Sequence, residues 1–196
     1  MSRPIINPGS LYWTGQHWID YIKEPGADTH SGMVSLWHTH YCEAGEGTAV
    51  FIDIPGADGY QALCTDNRDI AAFHVAWMKG RGGIHDLDLE VVPASIRREG
   101  NILKAPSWVI ESVDSRVVAT WRKIDPPVIL DGPSPKFKEG WDVYSFLFFA
   151  WEASITLNDR EIPGKPYGRD IWAPTIGGER SSCVFALSEV FVDIEA

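Results

Sequence analysis

Hydrophobic and polar residues alternate along most of the chain, in short segments that turn-forming residues separate. A period of two is typical of a β-strand that buries one face. Gly, Pro, Asn and Asp are concentrated in the intervening stretches EAGEG, PGADG and TDNRD, and these residues favour turns. We therefore predict strands at residues 33–42, 48–54, 60–64, 70–79, 85–92, 107–113, 116–124, 143–158 and 181–194.

One early segment, residues 10–23, has a helical spacing instead. Leu11, Trp18 and Ile22 would lie on one face of a helix, and Pro25 would end it. This segment is the best helix candidate in the chain, so we predict a single N-terminal helix.

The succession of elements indicates an all-β fold. About nine strands at short spacing, without a regular alternation of strand and helix, are typical of a closed antiparallel β-barrel or a sandwich. Residues 126–140 are rich in proline and are predicted as a long loop. No stretch of linker composition divides the chain, so we predict one β-barrel domain over residues 1–196.

The strand predicted at residues 143–158 has two largely apolar faces. A solvated face rarely carries several aromatic rings, so both faces are expected to be covered. One face would then line a barrel cavity that holds a small ligand. The aromatic residues predicted to contact that ligand are Tyr144, Phe146, Phe148, Trp37 and Trp77.

Glu152 follows these rings on the same face of the strand. Burial among apolar groups raises a carboxyl pKa, which would make this residue a general acid or base near neutral pH. The alternative is that Glu152 lies in water or pairs with an arginine.

His38 and His40 are separated by one residue, which places both imidazoles on the same face of a strand. Gly32, five further residues and His38-Thr39-His40 resemble the opening of the first cupin motif. Cupins are small β-barrels that hold a metal on His and Glu ligands, so the resemblance implies a Zn or Fe site. His74, in the apolar segment AAFHVAW, is the natural third imidazole for such a site. A metal-free pair in a pocket and a purely structural pair are the alternatives.

A second resemblance concerns the segment EASITLNDREIPGKPYGRDIW, residues 152–172. It is similar to the end segments of bacterial lipocalin-like (calycin) proteins, which are antiparallel barrels with apolar cavities. Some of these proteins bind hydrophobic small molecules, and others hydrate, dehydrate or isomerise them. The resemblance implies a lipocalin-like barrel with a comparable ligand.

Composition narrows the choice of partners. The formal net charge of −10 disfavours nucleic acid and anionic membrane surfaces. The N-terminal segment MSRPIINPGSLYW lacks the apolar region of a signal peptide, and no apolar run approaches the ~20 residues of a membrane span. The three cysteines have no disulfide-like spacing and are predicted to be free and buried. We therefore expect a cytoplasmic protein, with a homodimer as the expected assembly if its outer face is apolar.

These observations favour an enzyme. His38 and His40, with His74 or Glu152, would move a proton in an isomerase, hydratase or lyase reaction on a hydrophobic or aromatic compound bound without a cofactor. A non-catalytic binding protein for the same kind of ligand is the first alternative. A cupin-like metalloenzyme with Zn or Fe on His38, His40 and His74 is the second, and carbohydrate recognition by exposed tryptophans is the least favoured.

Overall fold

The computed structural model describes residues 11–133, 141–171 and 173–193. Most of these residues lie in strands, which confirms that the protein is mostly β. The strands in chain order are β1 (Leu11–Ile22), β2 (Gly32–Cys42), β3 (Gly47–Ile54), β4 (Tyr60–Thr65), β5 (Val91–Pro93), β6 (Ser95–Asn101), β7 (Ala105–Glu111), β8 (Arg116–Ile124), β9 (Val128–Pro133), β10 (Trp141–Leu157), β11 (Arg160–Glu161), β12 (Gly168–Arg169), β13 (Arg180–Ser181) and β14 (Cys183–Asp193). The helices are α1 (Arg68–Met78), α2 (Ala173–Ile176) and a 3-10 helix, Gly83–Asp86.

Ten strands form one strongly curled sheet in the order β5-β4-β3-β2-β1-β14-β10-β8-β7-β6. Neighbours are antiparallel except β4 and β5, which are parallel. Strands β9 and β11 add to the sides of β10, whereas β12 and β13 form a separate pair. The prediction of a closed antiparallel barrel was wrong, because the sheet is mixed and forms a half-barrel. Among the described strands, the edges β5 and β6 do not pair with each other.

The segment predicted as the N-terminal helix is strand β1, so that prediction was wrong. β1 lies between β2 and β14 near the middle of the sheet. Trp13 is buried on one face of the strand and Trp18 on the other. Apolar residues on both faces of a central strand remove the alternation on which strand prediction depends. The helical spacing of Leu11, Trp18 and Ile22 was therefore incidental.

The opposite error occurred at residues 70–79, which were predicted as a strand but lie almost wholly in helix α1. The Asn67 side chain accepts a hydrogen bond from the backbone amide two residues later and so caps the helix. Ile70, His74 and Trp77 lie on its buried face, at helical spacing. Neither α-helix, within the described residues, is both long and apolar enough to cross a membrane.

Two further predictions were wrong in part. The strand expected at residues 85–92 is instead the end of the 3-10 helix, followed by coil and the start of β5. The loop expected at residues 126–140 contains strand β9, and its remainder, residues 134–140, lies outside the described residues. Strand β6 was missed because it is mostly polar and exposed, which leaves no hydrophobic signal.

Side chains pack on both faces of the sheet in two separate clusters. The inner cluster contains residues from β3 and β4 at one end of the sheet and from β7 and β8 towards the other, so it fills the inside of the curl. The two ends of the sheet are also joined by a hydrogen bond, which the Tyr60 hydroxyl on β4 donates to Ser112 Oγ, next to β7, over 3.4 Å. The outer cluster lies on the other face, under α1 and the 3-10 helix. All three cysteines are free and buried, as predicted.

Candidate functional site

A cavity of about 290 Å³ lies on the outer face of the sheet. Its floor is formed by β1, β2, β10 and β14, and its rim includes the 3-10 helix and the segment around β12. Small-molecule sites have volumes of roughly 300–1,000 Å³, so the cavity suits a small ligand. Most of the lining is apolar, including Ile19, Met33, Trp37, Leu147 and Phe191.

Strand alternation explains which residues of β1 reach this cavity. His17, Ile19 and Tyr21 are two residues apart and point to the outer face, whereas Trp18 and Ile22 pack into the inner cluster. An extended central strand therefore supplies an imidazole and a phenol to the cavity while it also supplies the inner core.

Glu189 reaches the cavity because strand β14 contains a β-bulge. Ala186 pairs with His17, but Glu189 pairs with Gly15. Between these two pairs β14 therefore advances by three residues and β1 by two. The pairing of β14 with β10 shows the same irregularity. An extra residue reverses the alternation, which is why Ala186 and Glu189 both line the cavity although they are three positions apart.

Glu189 and His17 form a buried pair at the cavity wall. His17 Nδ1 lies 3.5 Å from Glu189 Oε2, and their side chains are only 16% and 6% exposed. The imidazole stacks flat on Trp37, with 3.5 Å between ring centroids and 18° between ring planes. Glu189 Oε2 makes no hydrogen bond within the described part of the chain. The stacking fixes the orientation of an imidazole that faces a buried carboxyl group.

Ser35 connects this pair to two other groups of the cavity wall. Its Oγ lies 3.5 Å from His17 Nε2 and 3.0 Å from His85 Nε2, and it is close enough to the Tyr21 hydroxyl to lower the pKa of that group. Burial raises the pKa of Tyr21 to about 12, although Arg169 and Ser35 act in the opposite direction. The phenol therefore stays protonated at neutral pH. Ser35 itself is fully buried and does not line the cavity, so it orients its neighbours rather than contacting a ligand.

The histidine pair predicted from the sequence lies elsewhere. His38 and His40 do come together, with 5.0 Å between ring centroids, but on the inner side of β2 near Trp108. His38 Nδ1 is 2.9 Å from Thr48 Oγ1, and burial followed by the charge of His40 lowers the His38 pKa. His40 is exposed. The pair lines a shallow depression at the surface and does not reach the cavity.

His74 does not approach that pair, because it lies under the opposite face of β2. Thr39 Oγ1 accepts a hydrogen bond from Trp13 Nε1 and is 2.9 Å from His74 Nε2. Burial lowers the pKa of His74 well below its ordinary value, so the ring is neutral. Within the described residues, no three His, Cys, Asp or Glu side chains are grouped closely enough to hold a metal ion.

Glu152 lies in solvent rather than among aromatic rings. Its side chain is 62% exposed, and the nearest cation is Lys123 Nζ at 3.9 Å. This matches the alternative interpretation of Glu152 more closely than the role of a buried acid, although the paired cation is a lysine.

The predicted aromatic ligand contacts are divided between the two faces. Trp37 lines the cavity, and Trp77 packs directly behind it, with 5.3 Å between ring centroids. Phe146 is 49% exposed, and Phe148 stacks on Phe185 in the inner cluster. Tyr144, which is half-buried, also does not line the cavity. The cavity uses the opposite face of β10, through Val143 and Leu147.

The cavity residues that the sequence did not reveal each have a local cause. His17 and Tyr21 lie in the segment that was interpreted as a helix, and a strand in that segment would have placed them together on one face. Glu189 is displaced by the β14 bulge, which has no signature in the sequence. No protein-family model matches this chain, and neither a curated protein nor a solved structure does so. The cupin and lipocalin-like resemblances remain predictions from short motifs.

Proposed function

We propose that this protein is an enzyme that binds a small, mostly apolar molecule in the cavity and moves a proton on it. Isomerisation, hydration or dehydration, and lyase reactions all need such a step. The observation that carries the proposal is the buried Glu189–His17 pair, held at the wall of an apolar cavity.

His17 is the group that exchanges the proton. A carboxylate beside Nδ1 favours the tautomer with hydrogen on that nitrogen, which leaves Nε2 as the basic atom. His17 Nε2 and Ser35 Oγ are 3.5 Å apart, and the 3.5 Å contact between Nδ1 and Glu189 Oε2 is not a hydrogen bond in this state. Catalytic hydrogen bonds often tighten only when a substrate closes the site. Glu189 acts by orienting the imidazole and stabilising its protonated form.

Tyr21 and His85 supply the complementary groups. Both line the cavity and both meet at Ser35, next to His17. Because the Tyr21 phenol stays protonated, it donates a hydrogen bond to an oxygen on which negative charge develops. His85 is positioned to return a proton at a second atom of the substrate.

The cavity limits the size of the substrate. At about 30 Å³ for each water molecule, its volume equals about ten waters. Compounds of that size include monoterpenoids and phenylpropanoids. The aromatic residues Trp37 and Phe191 in the cavity wall favour unsaturated or aromatic carbon skeletons.

Deuterium incorporation tests the proposal with surrogate compounds in place of the natural substrate. The protein is incubated in D₂O with carvone, benzylacetone and 3-benzoylpropionate, and mass spectrometry follows exchange at carbon. We expect wild-type protein to accelerate exchange of at least one compound, and His17→Gln to abolish the acceleration. His38→Gln is the matched control, because it changes an imidazole on the other side of the same sheet.

Three results would contradict the proposal. Ligand binding without exchange or product would indicate the non-catalytic binding protein instead. Loss of exchange in His38→Gln, but not in His17→Gln, would return the site to the histidine pair predicted from the sequence. Absence of both binding and exchange would mean that the cavity is not a ligand site.

A further inference from the structure

Positive charge is concentrated at the cavity although the chain as a whole carries −10. Two arginines, Arg81 and Arg169, line it, and Glu189 is the one acidic residue among the described residues that do so. Arg81 is tied to the backbone, because its Nε donates a 3.2 Å hydrogen bond to the Trp77 carbonyl oxygen. Arg169 has a different setting.

Arg169 is held over an aromatic ring instead of against an acid. It is half-buried in β12, and its guanidinium carbon lies 5.6 Å from the centroid of the Tyr21 ring. None of the ion pairs in the described part of the chain includes Arg169. A half-buried guanidinium without a carboxylate partner, at the wall of a cavity, has its hydrogen-bond donors available for an anion.

His30 and Tyr167 stand beside Arg169 and line the same part of the cavity. His30 Nε2 and the Tyr167 hydroxyl share a 2.6 Å hydrogen bond, and Lys23 Nζ lies 4.6 Å from the centroid of the Tyr167 ring. Burial, then Arg169 and Lys23, lower the pKa of His30, so this imidazole is neutral. Of these two cations, Arg169 lines the cavity, whereas Lys23 is not among the described residues that do so.

The one acid that acts on His30 is already engaged. Asp53 raises the His30 pKa, but its Oδ1 accepts a 2.6 Å hydrogen bond from Gln61 Nε2. The end of the cavity at Arg169 therefore combines a half-buried cation with two neutral polar groups.

We infer that the ligand carries a carboxylate group, which binds the Arg169 guanidinium beside His30 and Tyr167. The planar guanidinium fork matches a carboxylate with two parallel hydrogen bonds, and one negative charge is neutralised by one half-buried cation. A phosphate monoester, with about two charges, would need more donors than these neutral neighbours supply.

This inference rests on the proposed function and extends it to the substrate class. Tyr21 links the two regions, since its ring lies under Arg169 and it lines the same cavity as His17, which lies on the same face of β1. The substrate is thus a small apolar carboxylic acid. Its acid group is fixed at one end, and its carbon skeleton is presented to His17.

Matched acids and amides test the inference by isothermal titration at pH 7.5. The pairs are 3-phenylpropionate with 3-phenylpropanamide, cinnamate with cinnamamide, and octanoate with octanamide. Acid and amide have the same shape, so a difference in Kd reports the charge. We expect wild-type protein to bind the acids at least about tenfold more tightly, because a hydrogen bond to a charged group is stronger than one to a neutral amide.

Substitutions distinguish the contribution of Arg169 to acid binding from that of the protein's overall charge. Arg169→Gln should weaken acid binding to the level of the amide and leave amide binding unchanged, whereas Arg169→Lys should keep part of the preference. Arg122→Gln is the control, because Arg122 is exposed on β8 and does not line the cavity. Thermal melting of each variant checks that the fold is retained.

The failures are distinguishable. Equal binding of acids and amides by wild-type protein would overturn the carboxylate inference and leave the proposed function standing. A preference for acids that survives Arg169→Gln would overturn the assignment to Arg169. If no acid and no amide binds, the proposed function fails and the inference fails with it.

Discussion

Two buried carboxylic acids, Asp20 and Glu189, lie on opposite faces of the sheet and have contrasting partners. Asp20 is fully buried, its Oδ1 accepts a 3.3 Å hydrogen bond from Cys183 Sγ, and its Oδ2 has no hydrogen-bond partner within the described residues. Burial raises its pKa to about 7. Glu189 instead faces an imidazole across 3.5 Å at the wall of a cavity.

The contrast reflects how each face is covered. The inside of the curl is filled by apolar side chains from both ends of the sheet, among them Trp18, Trp108 and Trp121, so a polar group there has few polar partners. The outer face is covered by a helix and connecting segments, which leave a mostly apolar cavity with polar groups from several elements in its wall. We conclude that the inner face provides stability, whereas the outer face provides the candidate chemistry.

The largest expected effect is on stability, from Trp121→Ala in the inner cluster. The indole is fully buried and donates a 2.8 Å hydrogen bond from Nε1 to the Ile19 carbonyl oxygen. Truncation should lower the free energy of unfolding by about 3–5 kcal/mol, measured by urea denaturation. A loss below about 1 kcal/mol would show that the inner cluster is not the main source of stability.

Asp20→Asn should change the pH dependence of stability. Folded Asp20 keeps its proton up to about pH 7, whereas the unfolded chain loses it near the ordinary value of 3.8. The folded state therefore binds more protons in between, and its stability falls as pH rises through this window. The full pKa shift corresponds to a decrease in the free energy of unfolding on the order of 4 kcal/mol. Asparagine cannot ionise, so the variant does not lose this part of its stability. Its urea midpoint relative to that of wild type should therefore rise from pH 4 to pH 8. A difference that is constant with pH would contradict this account.

Glu189→Gln should slow proton transfer by about 100-fold while His17 stays in place. The amide keeps the shape of the side chain but removes the charge that stabilises protonated His17. Deuterium exchange of the surrogate compounds, measured for wild type and variant at the same pH, gives the ratio of the two rates. An unchanged rate would show that Glu189 does not assist the proton transfer.

The smallest effect is expected from His38→Gln and His40→Gln. Both imidazoles lie at a shallow surface depression, so stability should change by less than about 1 kcal/mol, and binding in the cavity should not change. Thermal melting and titration with 3-phenylpropionate measure both quantities. A clear loss of binding would place the ligand on the inner side of the sheet.

The strands whose residues alternate, or whose ends are marked by turns, were predicted well. β8 was predicted at residues 116–124, as observed, and β2, β3 and β10 differ from their predictions by at most two residues at either end. The errors fall where local patterns are ambiguous. Residues 70–79 are apolar on too many positions to separate a buried strand from a buried helix.

Prediction of the site was weaker than prediction of the fold. The parity argument for His38 and His40 was sound, since the two rings do meet on one side of β2. Parity says which residues share a face, but not which face has unfilled space. Trp37, the neighbour of His38 on β2, was also predicted as a ligand contact. Its side chain points to the opposite face of the strand and lines the cavity, whereas that of His38 does not.

The chain's own pattern of apolar and polar residues determined that this protein is mostly β and that its cysteines are buried and free. These properties follow from local spacing and composition. The second face of the long strand, which was expected to be covered, is instead partly exposed at Phe146 and Glu152. Only the tertiary structure decided that the sheet stays open as a half-barrel, that the bulge in β14 turns Glu189 towards His17, and that the cavity lies on the outer face. Each depends on contacts between residues far apart in the sequence. Such contacts produce no periodic pattern within either segment, so the sequence of one segment does not predict them.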